Sequence, residues 1–282
     1  MPEDISCIHF MDVRIDDIDY PAVSKKIGEI IRENGRAYIS VNDVVSVMAA
    51  AWDHEIREAI NASTLSVSDG TPLAWFGRLA GCRRIERISG RDLMENLFGD
   101  PGGYRHFLLG DTENTIAKVK AKAAGIWPGI RIDGYSPPFR EFDEEDNRII
   151  MEKINAAAPD IIWVSLGGGK QDKWMHDHVK KLPRGIMIGV GAALRWFTGD
   201  LVTPPRFIQK MGLQWLFRIA HYLAEAPLGN LKFVVGTVLK RDMIFLLNLP
   251  REVFRARRKR RENAARAAGD KRRDERDFLH GK

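Results

Sequence analysis

Leu65-Ser66-Val67-Ser68-Asp69-Gly70-Thr71-Pro72 decides how the rest of the chain is read. A short apolar, β-branched run stops at an acid and a glycine, and a Thr-Pro pair follows. Proline suits the first turn of a helix, and Ala74-Trp75-Phe76 continues one. This outlines a buried strand that ends, turns and hands over to a helix, with Asp69 at its carboxyl end. In open α/β sheets ligands bind along that edge, and a helix start beside it favours anions. Two roles for Asp69 are open at this point: a carboxylate available for chemistry, or a cap on the helix.

The same unit recurs on both sides. Residues 37–41 read as a strand leading through Asn42 and Asp43 into a helix. Residues 86–92 are a polar connection before a helix over 93–98. A strand at 107–110 is backed by a helix over 115–124. The run 130–132 leads to Gly134-Tyr135, a loop and a helix over 147–158. The most apolar strand, 161–166, ends in Gly167-Gly168-Gly169-Lys170-Gln171 ahead of a helix through His178, and residues 185–189 end in Gly189-Val190-Gly191. Strands separated by single helices predict an α/β fold with a mostly parallel sheet, and their near-continuous apolar composition agrees. Ahead of these units, the alternation over 8–15 predicts a strand or hairpin, followed by a helix over 23–32. There is no internal repeat.

The chain has 282 residues, 44% of them hydrophobic and 29% charged, enough for a proper core. Two cysteines, Cys7 and Cys82, make neither a disulfide framework nor a zinc set and suit a reducing compartment. No leader-like segment opens the chain, and no apolar run has the length of a membrane span. The net charge is +6, but residues 251–282 hold thirteen Lys/Arg against six Asp/Glu, a surplus of +7, which leaves −1 for the rest. The basicity belongs to a tail, expected as a loose helix or disordered. Before the tail, an aromatic-rich helix over 207–223 is followed by a mixed segment, 231–249, too broken to span a bilayer and readable as amphipathic.

The triple glycine suits a phosphate loop, since glycines let backbone amides approach an anion, and it equally suits a plain tight turn. It matches neither the Walker spacing nor the dinucleotide fingerprint, which argues against an ATPase or a NAD enzyme. Asp17-Ile18-Asp19 has the spacing of a metal-binding acid pair, but it precedes a helix start rather than ending a buried strand, so a solvated turn is expected. No Ser-His-Asp or Cys-His arrangement stands out. The histidines form no metal pattern, and Trp163, Trp174, Trp196 and Trp215 read as core.

Taken in order, Ser40-Val41-Asn42, Ser68-Asp69-Gly70, Glu86-Arg87-Ile88-Ser89-Gly90-Arg91-Asp92-Leu93, Gly134-Tyr135 with Pro138-Phe139, Leu166-Gly167-Gly168-Gly169-Lys170-Gln171-Asp172, Gly189-Val190-Gly191, Gly199 and Gly212-Leu213-Gln214-Trp215-Leu216-Phe217-Arg218 resemble the WecG/TagA/CpsF glycosyltransferases over roughly residues 8–233. Each motif is modest alone; order and spacing together are specific. The resemblance implies a Rossmann-like fold and transfer of a sugar, N-acetylmannosaminyl or related, from a UDP-sugar to a polyprenyl-diphosphate-linked sugar. It implies inversion at the anomeric carbon and no required metal or other cofactor. By position, Asp69 matches the catalytic base, Ser40 and Asn42 a strand-end pair, and Arg87 and Gln171 substrate contacts. The loop glycines Gly167 and Gly169 join the substrate-binding set. Several positions depart from the family pattern: Ser40 replaces Thr, Gly168 replaces Pro, Asp172 replaces Glu, Gln214 replaces Glu, and Thr203-Pro204-Pro205 replaces Arg-Ala-Pro. Arg206, Arg218 and Lys232 are then the candidate cations for the lipid diphosphate.

The expected organisation is a glycosyltransferase domain over 1–230, an amphipathic membrane-association segment over 231–250 and a basic tail over 251–282. The enzyme is expected in the cytoplasm, peripheral on the anionic inner face of the plasma membrane. A second copy of the chain is another partner that the apolar segment admits. The rival reading is a non-catalytic nucleotide-sugar-binding scaffold docked through its tail. Nucleic acid is not an expected partner, because the tail has only Phe254 and Phe278 as stacking aromatics.

Overall fold

The computed structural model describes residues 5–205, 208, 216, 217, 220 and 240–280, with side chains to residue 263 in the last stretch. Its centre is a six-stranded sheet of β3 (Arg36–Asn42), β4 (Leu65–Ser68), β5 (Arg105–Gly110), β6 (Arg131–Tyr135), β7 (Ile161–Ser165) and β8 (Gly185–Gly189), in the order β4-β3-β8-β7-β5-β6. Every pairing is parallel, as expected from the apolar strands.

Helices cover both faces: α1 (Tyr20–Arg32), α2 (Val44–Trp52), α3 (His54–Ala62), α4 (Thr71–Leu79), α5 (Gly90–Phe98), α6 (Glu113–Ile126), α7 (Glu144–Ala157), α8 (Lys170–His178) and α9 (Ala193–Thr198). Local chemistry starts most of them: Asp19, Asp43, Asp53, Ser89 and Thr112 each cap the following helix with a side-chain oxygen. Asp53 also explains α3, a helix that the sequence analysis did not outline. Its carboxylate accepts from the amides of Glu55 and Ile56, so the chain restarts there.

The N-terminal segment is the expected hairpin, β1 (Cys7–Phe10) against β2 (Val13–Asp16). It guards the sheet edge. The outward amide of Ser66 on edge strand β4 donates to the Asp16 carboxylate at 2.9 Å, and the Ser66 hydroxyl donates to the Arg14 carbonyl.

The described part of the C-terminal segment is helical, as its amphipathic reading expects. One helix, α10 (Lys240–His280), runs through Pro250, the position at which the apolar segment was set apart from the tail. Its inner face joins the body. Phe245 is buried and stacks on Phe10 with ring centroids 4.6 Å apart. The Glu252 carboxylate accepts from the Met11 amide at 3.2 Å, and the Arg260 guanidinium reaches Asp17 at 3.4 Å. Phe245 faces inward, where Phe10 of β1 offers it an aromatic partner. Among the described residues no helix is long and apolar enough to cross a membrane.

His106 lies in the core between the rings of Phe98 and Trp163, and it accepts from the Trp163 indole at 3.3 Å. Burial pushes its pKa down to about 4. The unfolded chain binds the proton near 6.5, so stability falls as pH drops from about 6.5 toward 4. Urea unfolding is expected to show a loss of up to about 3 kcal/mol from this group, absent in His106→Phe; equal acid sensitivity of the two proteins would refute it.

Candidate active site

Because the strands are parallel, the helices that follow β3, β4, β7 and β8 all begin at one edge of the sheet. A cavity of about 340 Å³ opens there, lined among others by Asp43, Asp69, Arg87, Arg91, Gln171 and Trp196. The starts of α2, α5, α8 and α9 border it, so backbone amides and helix dipoles supply a positive field.

Asp69 lies just past β4, half-buried, at this edge. Its amide donates to the Asn42 carbonyl at 2.6 Å, which makes β3 and β4 stop together. Gly70 then takes φ +112, a conformation that suits glycine, and occupies the N-cap position of α4. Arg87 belongs to an irregular segment pinned alongside. The Ile88 amide donates to the Ser68 carbonyl at 2.8 Å, and the Ser68 hydroxyl donates to the Glu86 carbonyl at 2.6 Å. The Arg87 guanidinium pairs with Asp92 at 3.2 Å.

The acid pair Asp17 and Asp19 serves this segment, away from the cavity lining. Asp17 accepts from the backbone amides of Arg83, Arg84 and Ile85 at 3.2, 2.9 and 2.9 Å. Burial works against its charge, and these donors together with Arg260 overcome that and lower its pKa. Asp19 caps α1 and pairs with Arg84 at 3.0 Å. Among the described residues no group of three or more His, Cys, Asp or Glu is placed to hold a metal ion.

The triple-glycine turn carries β7 into α8. Gly167 and Gly168 line the cavity with Gln171, whose side-chain oxygen accepts from the Gly191 amide at 3.1 Å and ties this turn to the one after β8. Gly169 is buried behind the lining with φ +75, and a Cβ there would stand 2.6 Å from Ile56. Ser40 and Asn42 are 0% and 1% exposed and flank Val41, which lines the cavity while they do not. Asn42 donates to the Ser66 hydroxyl at 3.0 Å. Arg206, Arg218 and Lys232 lie outside the described residues.

Sequence reasoning missed Arg91 and Trp196 in the lining. Arg91 carried a signal, since it follows Ser89-Gly90 at a helix start. It pairs with Glu95 at 2.7 Å and donates to the Thr203 hydroxyl at 3.2 Å, which brings the segment beyond α9 to the cavity. Trp196 had been assigned to the core, and nothing in its neighbours distinguished it.

The described atoms offer a carboxylate, guanidinium groups and converging helix starts around one cavity, a set suited to a proton transfer beside a bound anion. Comparison with known proteins agrees. A model of the glycosyl transferase WecG/TagA/CpsF family matches residues 8–247. A Bacillus subtilis (strain 168) protein, N-acetylglucosaminyldiphosphoundecaprenol N-acetyl-beta-D-mannosaminyltransferase, is 28% identical over 207 residues, covering 73% of this chain and 76% of the relative.

The glycine turn makes a sharp contrast between neighbours. Gly168 meets no atom within 4 Å and has no positive φ, so Gly168→Ala is expected to leave the melting temperature unchanged. Gly169→Ala is both strained and overpacked against Ile56 and is expected to cost about 1–3 kcal/mol. Equal melting temperatures for the two variants would contradict this placement.

Proposed function

Since the chain belongs to the WecG/TagA/CpsF family and is a glycosyltransferase, we propose that it moves an N-acetylmannosaminyl or related sugar from a UDP-sugar to a polyprenyl-diphosphate-linked sugar, with inversion and without a metal. The observation that carries this reading is the placement of Asp69 at the strand edge, in a cavity bordered by helix starts and arginines. The name of the Bacillus relative supports the choice of substrates.

In this mechanism the Asp69 carboxylate takes the proton from the acceptor hydroxyl. The hydroxyl oxygen attacks the anomeric carbon of the donor from the face opposite its diphosphate. The bond from that carbon to the diphosphate oxygen breaks, and UDP leaves with the electron pair. A single displacement of this kind inverts the anomeric centre. The negative charge growing on the leaving diphosphate is met by the Arg87 and Arg91 guanidinium groups and by the amides at the starts of α5 and α8. Gln171, fixed by the Gly191 amide, orients the donor. Arg206, Arg218 and Lys232 are proposed to hold the acceptor's diphosphate.

The acceptor is a lipid in this reading, so the sheet edge must come to a bilayer. We assign this to the apolar segment and its basic continuation, 231–261. Residues 231–239 lie outside the described set. On α10 itself Leu247 and Phe254 are 72% and 71% exposed, and on α2 and α4 so are Trp52 and Trp75, at 60% and 46%. An outward apolar face beside a run of Lys and Arg suits an anionic membrane surface.

Asp69→Asn keeps the shape but cannot take a proton. Turnover of a UDP-sugar with a lipid-diphosphate acceptor is expected to fall by about two to four decades, while UDP-sugar binding persists. Parental turnover is expected to survive excess EDTA. Unchanged turnover in the variant would remove Asp69 from the mechanism, and loss in EDTA restored by magnesium or manganese would bring in a metal.

Membrane docking is checked by flotation. The full chain should float with vesicles containing acidic lipid, less at high salt, and the double variant Leu247→Glu, Phe254→Glu should stay largely in the soluble fraction. Equal flotation would place the docking surface elsewhere.

A further inference from the structure

Three buried polar residues adjoin the cavity lining as chain neighbours of Val41, Asp43 and Gln171. Ser40, Asn42 and Asp172 are 0%, 1% and 1% exposed. The Asn42 amide nitrogen is used, donating to the Ser66 hydroxyl and to the Ser40 carbonyl. The Ser40 hydroxyl, the Asn42 side-chain oxygen and both carboxyl oxygens of Asp172 have no hydrogen-bond partner among the described residues. An unsatisfied buried carboxylate is costly, and the cost falls on its charged form. Burial pushes the Asp172 acid up to about 6; the nearby Ser40 hydroxyl opposes the rise although it does not meet hydrogen-bond geometry, and the Asp43 charge adds to it.

Asp172 is also the third residue of α8, the helix whose start carries Gly167, Gly168 and Gln171 at the cavity. A negative charge in the first turn of a helix satisfies the same positive field that a bound anion would use. We propose that Asp172, which does not line the cavity, sets how tightly the site holds the donor's diphosphate: ionised, it opposes the anion at the α8 start, and protonated it does not. This inference rests on the UDP-sugar reading above.

Few other groups face this carboxyl. From β3 come Ser40 and Tyr38, and Tyr38 donates to the Ala59 carbonyl and meets His176. Asp43 follows β3 and caps α2. On α3, Glu55 pairs with Lys173 at the surface, and Arg57 donates to the carbonyls of Ala50 and Ala51. Strand β8 contributes no titratable side chain.

The test titrates UDP-N-acetylmannosamine into the full chain between pH 5 and 7.5, in a calorimeter. The sugar-esterified diphosphate has no ionisation in that range, so the protein's groups carry the pH dependence. Parental affinity is expected to weaken as pH rises through about 6. Asp172→Asn should bind with little pH dependence, match the parent at pH 5 and exceed it about three- to fivefold at pH 7.5. Melting supplies an independent readout. The native acid holds its proton to higher pH than the unfolded one, so this group's contribution to stability falls as pH rises from about 4 to 6. The Asn variant should therefore melt above the parent at pH 7.5, with the gap closing toward pH 4. An equal pH profile in both proteins, or a variant that binds more weakly and melts lower at pH 7.5, overturns the role of Asp172 alone. A parent that binds no UDP-sugar at any pH overturns the donor reading together with it.

Discussion

All six strands of the sheet run the same way, and one hydrogen bond, from the Asp69 amide to the Asn42 carbonyl, makes two of them end at the same height. Most of the electrostatics of the site follows from that shared direction. A helix that follows a parallel strand begins where the strand ends, so the starts of α2, α8 and α9 meet at one cavity without any charged side chain being required there, and the irregular segment before α5 brings a fourth. The arginines and carboxylates are placed on a positive background that the backbone already provides.

The least regular part of the site is held by the most committed acid. Residues 82–89 contain no helix or strand, yet they carry Arg87. Three consecutive amides of this segment are gathered by Asp17, and a carboxylate that accepts several backbone donors is a rigid anchor. The acid pair that by spacing evoked a metal site thus does the work of a missing secondary structure.

Much of this was legible in the chain itself. The β-to-α handover at Asp69, the glycine turns and the parallel class follow from local rules about strand ends, helix starts and apolar runs. The strand order was not legible, because apolar strands such as 161–165 and 185–189 are interchangeable by composition, and the order depends on crossovers that only packing decides. Ser40 and Asn42 read as edge residues, but a period-two strand turns them toward α8 and into the interior. Arg91 and Trp196 reach the cavity through the helices that carry them, a contact that no local pattern announces. The inward turn of Phe245 could not be read either, since its partner Phe10 lies 235 positions earlier.

The stacking of Phe10 on Phe245 sets an order for biosynthesis. The hairpin leaves the ribosome before the whole sheet, and the helix that covers its aromatic face leaves after it, so folding from the N-terminal side cannot complete this corner until that helix is made. Throughout translation of the sheet, Phe10 and its neighbours await a partner not yet made. Until then Phe76 packs one side of the Phe10 ring, and the side that Phe245 will cover stays open to solvent.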